Sequence, residues 1–156
     1  MIIRQATVED AAAIMVLHER SVRGLCSADY TPEQLDLWLG SITLEKHQKR
    51  LKLHKSFIAE IDSKTIGYVR WNPETNELCS IFVDPGFVRR GIGTKLMMTA
   101  SRDALSYGVR VLWLDASLTA VPFYIADGWD IVEKGMHGPL ECVRMTKTIH
   151  HDCASS

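Results

Sequence analysis

A chain of 156 residues suits one domain with a real core. Apolar residues make up 46% and charged residues 24%, and the net charge of −1 excludes bulk attraction to nucleic acid or a membrane surface. No apolar run approaches the roughly 20 residues of a membrane span. The opening Met1-Ile2-Ile3-Arg4-Gln5-Ala6 has neither the basic start nor the apolar core of a secretory signal, so a cytoplasmic setting is the default expectation. Cys26, Cys79, Cys142 and Cys153 form no Cys-x-x-Cys pair and read as reduced thiols, not as a disulfide or zinc framework.

Taken in order, Ile2–Gln5 reads as a short strand. Thr7 caps a helix through Ala13 and Leu17, with Asp10 in its first turn. Thr31-Pro32-Glu33-Gln34 combines an N-cap, a proline at the first helical position and a capping-box glutamine, and Gly40 marks the stop. Thr43–Leu53 is a third, highly charged helix. Its basic stretch Lys46–Lys55, broken by Leu51 and Leu53, reads as an exposed helix face and not as a nucleic-acid patch.

Phe57–Ile61 and Ile66–Trp71 are strand-like around the turn Asp62-Ser63-Lys64, and Leu78–Val83 follows a second turn at Asn72–Asn76. A helix from about Gly93 to Ser106 spaces Leu96, Met97, Ala100 and Ala104 on one face and stops at Gly108. Val109–Leu114 is a buried strand, Val121–Ala126 a short helix, and Trp129–Val132 and Val143–Thr148 are closing strands. Residues 150–156 read as a loose tail; His150-His151-Asp152-Cys153 has metal-compatible residue types but no ligand spacing. The order predicts an α/β fold with a mixed sheet, not a doubly wound one.

Chemistry concentrates at Val88-Arg89-Arg90-Gly91-Ile92-Gly93-Thr94, between a strand and a helix. Two glycines admit a ligand close to the backbone, the first amides of the helix lack internal partners, and a pyrophosphate would satisfy them. Arg89 and Arg90 add charge at the rim. The turn is not a Walker loop, because Thr94-Lys95 follows Gly93 in the wrong order, nor a dinucleotide fingerprint, because Leu96 stands where a third glycine belongs. Alone, it is equally an ordinary tight turn.

Pro85 to Leu96 resembles the acetyl-CoA-binding motif of the GNAT superfamily of N-acetyltransferases, written Gln/Arg-x-x-Gly-x-Gly/Ala. Gly91 and Gly93 match its glycines, and Val88 stands where Gln or Arg is usual. Ser117 to Trp129 resembles the second signature: Ala120 and Tyr124 match, while Ser117 replaces Asn and Trp129 replaces Phe. The resemblance spans about Ile2 to Thr148 and is specific in these two stretches. Asp29 to Trp38 resembles one uncharacterised bacterial-type branch of the superfamily.

The resemblance implies a GNAT-like, mostly antiparallel mixed sheet of about seven strands, splayed at the site and flanked by helices, within a domain covering residues 1–149. It implies acetyl-CoA as acetyl donor, no metal, and direct transfer to a primary amine of an unidentified acceptor. Neither nucleic acid nor membrane is an expected partner; homodimers are common in that superfamily. The amides of Val88, Arg89, Arg90, Gly91, Ile92, Gly93 and Thr94 would carry the pyrophosphate. Backbone groups of Ile81, Phe82 and Val83 would pair with pantetheine, and Ser117 and Tyr124 would also touch the cofactor.

Tyr124, a phenol of pKa about 10, would protonate the departing thiolate; by itself it reads as a core aromatic, and the glycine turn about 30 residues upstream favours the acid. A lysine-like acceptor amine costs roughly 4–5 kcal/mol to deprotonate at neutral pH, so a base helps. Glu77 matches a position where some members carry a catalytic glutamate, and equally reads as a solvated acid at a strand end. Asp115, Glu60 and His137 are weaker candidates. Tyr30, Trp38 and Trp71 either wall the acceptor site or serve as core aromatics. The competing functions are a non-catalytic acyl-CoA-binding or sensing module, with the cradle but no acid or base, and a nucleotide-binding regulator.

Overall fold

A computed structural model describes residues 1–151. Seven strands form one sheet in the order β1-β2-β3-β4-β5-β7-β6. The strands are β1 (Ile2–Gln5), β2 (Lys55–Ile61), β3 (Lys64–Asn72), β4 (Glu77–Val83), β5 (Val111–Ser117), β6 (Asp130–His137) and β7 (Leu140–Thr148). The helices are α1 (Ala11–Leu25), α2 (Pro32–Gly40), α3 (Leu44–Leu53), α4 (Ile92–Ser106) and α5 (Val121–Ala126). Every neighbouring pair of strands is antiparallel except β4 and β5. The expected mixed, mostly antiparallel seven-stranded sheet flanked by helices is the observed fold.

The local signals explain most boundaries. Gln34 donates its amide N–H to Thr31 Oγ1 at 3.2 Å and its side chain accepts from the Thr31 amide at 2.9 Å, closing the capping box that starts α2. Thr43 caps α3 by a single bond, its Oγ1 accepting from the Lys46 amide at 3.2 Å. Thr7 begins a single 3-10 turn, Val8–Asp10, before α1, and Asp10 accepts from the Thr7 amide at 2.7 Å. The predicted strand Val109–Leu114 shifts later, to Val111–Ser117, because Gly108 and Val109 still close α4 onto Leu105 and Ala104. Asp115 and Ser117 therefore belong to a strand end, not to a loop.

β3 is buried along Ile66–Trp71 and anchors both layers. On one face α4 packs Leu96, Met97, Ala100 and Ala104 against Val69, Trp71 and Leu78. On the other, α1 packs Ile14 and Leu17 against Ile58 and Tyr68. Trp71 is fully buried and donates Nε1–H to Asp103 at 2.8 Å, so it is a core aromatic and no part of an acceptor wall. The charged helix α3 is not an exposed face throughout. His47 is buried and Arg50, Leu51 and His54 are half-buried, at the three-, four- and seven-residue spacing of one helical face.

Asp84 fixes the turn that leaves β4. Its carboxylate, 2% exposed, accepts from the Gly86 amide at 2.9 Å and from Arg20 of α1 at 2.9 and 3.2 Å. Arg20 and the backbone hold the Asp84 carboxyl below its usual range. Asp84→Ala removes a buried acceptor of three hydrogen bonds and should lower stability by about 1–3 kcal/mol in urea denaturation; an unchanged midpoint would contradict the anchoring role.

Candidate active site

The site begins where the sheet comes apart. β4 and β5 share one register pair, Glu77 with Trp113, and then diverge. A register shift lies between Arg70, opposite Ser80, and Trp71, opposite Leu78, so Cys79 is the extra residue of a β-bulge. Bulges bend a strand and interrupt its pairing. Past this bulge the amide of Asp84 donates to Ile66 on β3 at 2.8 Å. Backbone groups alternate between the two edges of a strand, so those of Phe82 also face β3 and those of Ile81 and Val83 face the gap. Open ladder groups inside a sheet require partners.

A cavity of about 450 Å³ fills this gap. β4 contributes Ile81, Phe82 and Val83. The turn and the start of α4 contribute Val88, Arg89, Gly91, Ile92, Gly93 and Thr94, while Ser117 and Tyr124 close the far side. Arg90 lies outside the lining; its guanidinium sits 5.0 Å from the Phe87 ring centroid. Gly91 has φ of +76° as the N-cap of α4, a conformation open to glycine. A Cβ on Gly93 would stand 3.2 Å from the Phe123 ring, so the helix start and α5 approach closely here. Ser117 Oγ accepts from the Ala120 amide at 3.3 Å, which leaves its O–H free to donate. Tyr124 is 6% exposed, set edge-on between Phe123 and Trp129, with no hydrogen-bond partner for its hydroxyl among the described residues. Burial pushes the phenol's pKa upward, which keeps it protonated.

A second cavity, of about 650 Å³, opens on the other side of Ser117. Cys79, Ser80, Phe82, Asp115, Ser117 and Trp38 line both, so the cavities meet at the bulge. Glu77 and His137 face the second one alone. Burial, with help from the nearby Asp115, raises the Glu77 carboxyl above its ordinary range. Asp115 is held by Arg144 in two hydrogen bonds of 2.8 and 3.0 Å. Glu60 is remote from both cavities, ion-paired with Arg4 on the β1–β2 side of the sheet. Tyr30 is a strut in the second cavity's wall. Its hydroxyl accepts from the Leu118 amide at 2.8 Å and donates to the Glu141 carbonyl at 3.0 Å.

Sequence reasoning missed Cys79, whose thiol is pushed by burial up to about 11. It also missed the basic wall formed by His18, Arg50, His54 and Arg70. The spacing His47, Arg50, His54 on one helical face was the available signal. The tail candidates Asp152 and Cys153 lie outside the described residues. Among the described residues no group of three or more His, Cys, Asp or Glu side chains is placed to hold a metal ion, and no helix is long and apolar enough to cross a membrane.

A splayed parallel pair, a bulge, and a glycine turn opening a helix leave a strand gap whose shape and open amides fit an extended, phosphate-bearing group. Comparison with known proteins agrees. Residues 26–149 match the family model described as acetyltransferase (GNAT) domain. The uncharacterized N-acetyltransferase YafP of Escherichia coli strain K12 is 25% identical over 132 residues, covering 85% of this chain and 83% of that protein. The uncharacterized N-acetyltransferase MJ1207 of Methanocaldococcus jannaschii is 28% identical over 140 residues, 82% of this chain and 60% of that protein. The crystal structure of a GCN5-related N-acetyltransferase from Rhodopseudomonas palustris superposes with a TM-score of 0.88 at 26% identity over 95% of each chain. PaiA N-acetyltransferase from Thermoplasma acidophilum, solved with coenzyme A, shares the fold with a TM-score of 0.84 at 20% identity, covering 95% of this chain and 98% of that one. The chain belongs to the GNAT acetyltransferase family and is an acetyl-CoA-dependent acetyltransferase.

Two buried histidines, His18 in the wall of the second cavity and His47 adjoining it, give stability a pH dependence. Burial pushes His18 down to about 3, with His47 and two arginines adding to the effect, and pushes His47 down to about 4, with Arg50 and Arg70 adding. In the unfolded chain both take up protons near pH 6.5; in the fold they stay neutral until pH approaches 4. The unfolded state therefore binds more protons across this window, and stability falls as pH falls, by at most about 1.4 kcal/mol per pH unit for each histidine. Urea denaturation at neutral pH and at about pH 5 should show the loss, and His18→Phe should remove roughly half of it. An identical loss in the variant would contradict the assignment.

Proposed function

We propose that residues 1–149 act as one domain that passes an acetyl group directly from acetyl-CoA to a primary amine. The carrying observation is that the strand gap and the second cavity meet at Cys79, Ser80, Asp115 and Ser117. Donor and acceptor could then be held together, one from each side.

The residues present fit coenzyme A. The turn from Val88 to Thr94, opening α4 at a left-handed glycine, offers amides to a pyrophosphate. Arg89 supplies charge at the lining, and the cleft-facing backbone of Ile81 and Val83 matches the amides of a pantetheine arm. The coenzyme A held by the structurally similar PaiA supports this choice. Bound there, the thioester supplies an activated acetyl carbonyl.

Tyr124, neutral and reaching the same cavity, donates a proton to the departing sulfur. Glu77 faces the acceptor cavity with a raised pKa, which suits it to receive the amine's proton directly or through water. Cys79 sits at the junction and is the obvious alternative nucleophile. Its elevated pKa keeps it a thiol at neutral pH, which favours direct transfer over an acetyl-cysteine relay.

Thiol release from acetyl-CoA across a panel of amines tests the reading. Tyr124→Phe should lower kcat by about 10²-fold or more with little change in acetyl-CoA affinity. Gly91→Glu should abolish cofactor binding by closing the phosphate turn. Undiminished turnover by Tyr124→Phe would remove its role as acid. Acetyl-CoA binding with no thiol release for any amine would favour a sensing module.

A further inference from the structure

The second cavity is electrically divided. Its β4–β5 side carries Glu77 and the Arg144-paired Asp115, while the opposite side carries the guanidiniums of Arg50 on α3 and Arg70 on β3, beside the imidazoles of His18 on α1 and His54 just past α3. Arg70 is 6% exposed and donates to Ser80 Oγ at 3.2 Å, with its other terminal nitrogen 2.6 Å from His54 Nδ1. Arg50 is half-buried beside it, and burial, together with the repulsion between the two guanidiniums, weakens the hold of Arg50 on its proton. Neither arginine has a carboxylate within ion-pairing distance among the described residues. His18, 4% exposed and stacked on Phe82 at 4.1 Å between ring centroids, has an Nε2 without a hydrogen-bond partner, as does the adjoining His47.

A buried guanidinium beside a half-buried one, with the Glu77 carboxylate felt by Arg70 only from beyond ion-pairing distance, is unfavourable, and a buried imidazole nitrogen without a partner adds to the cost. These groups face a cavity and not packed protein, so a ligand can supply the missing charge. From this wall we infer that the acceptor carries an anionic group, a carboxylate or phosphate, a short distance from its amine. The anion lies against Arg50 and Arg70, and the ammonium is drawn to the Glu77 side near the cavity junction. Guanidiniums suit planar or tetrahedral oxyanions through paired N–H donors. The same wall disfavours polycationic acceptors, which would add positive charge beside two arginines.

This inference rests on reading the second cavity as the acceptor side, and a binding measurement separates the two. Calorimetric titrations in the presence of coenzyme A would compare matched probes: β-alanine against β-alaninamide, O-phosphoethanolamine against ethanolamine, and spermidine as the polycation. The carboxylate- or phosphate-bearing member of at least one pair should bind about tenfold or more tightly than the twin that keeps the ammonium but lacks the anionic group, and the stronger pair tells carboxylate from phosphate. Arg50→Gln and Arg70→Gln should each remove most of that preference while leaving coenzyme A affinity unchanged. Arg50, on the partly exposed helix, is the variant expected to fold normally if Arg70→Gln does not. Equal affinity within both pairs, no measurable binding of either anionic probe, or tightest binding of spermidine would overturn the inference. If the preference holds but acetyl-CoA releases no thiol with any amine of the panel, the anion subsite stands and the proposed transfer to an amine fails.

Discussion

The parting of β4 from β5 is the constraint on which the rest depends. A parallel pair that continued beyond Glu77 and Trp113 would close the sheet and leave no room for a ligand. The bulge at Cys79 turns β4 away, and the Asp84 carboxylate, tied to Arg20 and to the next turn, keeps it there. Two exposed ladder edges inside a sheet are unfavourable in themselves. They persist because α4 and α1 clamp β4 from both faces through Leu78, Ile81 and Phe82. The strand gap is thus held open by the core.

From that opening the remaining features follow in order. The glycine turn lies at the end of β4, so the start of α4 sits at the mouth of the gap. β5 ends at Ser117, whose hydroxyl caps the turn leading to α5, and α5 places Tyr124 in the same cavity. Beyond the junction the second cavity has acid on one side and base on the other. In the proposed reading, the first arrangement handles the thioester and the second selects the amine.

Elements with strong local signals were legible in the sequence. The capping box at Thr31–Gln34, the Pro32 start, the apolar face of α4 and the Gly91–Gly93 turn follow from spacing alone, and each stands where those signals place it. The resemblance drew attention to two continuous stretches, Ile81 to Thr94 and Ser117 to Tyr124, and residues of both line the first cavity. The site was not legible where folding joins distant segments. Nothing local to Cys79 marks a bulge, because the register of β4 is set by its pairing with β3. The end of β5 was read too early because the β-pattern of Val109–Leu114 gives no sign that pairing with β7 carries it to Ser117. The basic wall draws one residue from α1, two from the face and end of α3 and one from β3. Only Arg50 and His54 lie in the basic stretch read as an exposed helix face, and tertiary packing of α3 turns Arg50 inward beside the buried His47.

The most direct test of the central claim, that donor and acceptor meet in one complex across the junction, is an initial-rate study with acetyl-CoA and an accepted amine both varied. Direct transfer predicts double-reciprocal lines that intersect, with Cys79→Ala retaining the pattern. Parallel lines, together with an acetyl group trapped on Cys79 in the absence of amine, would contradict it.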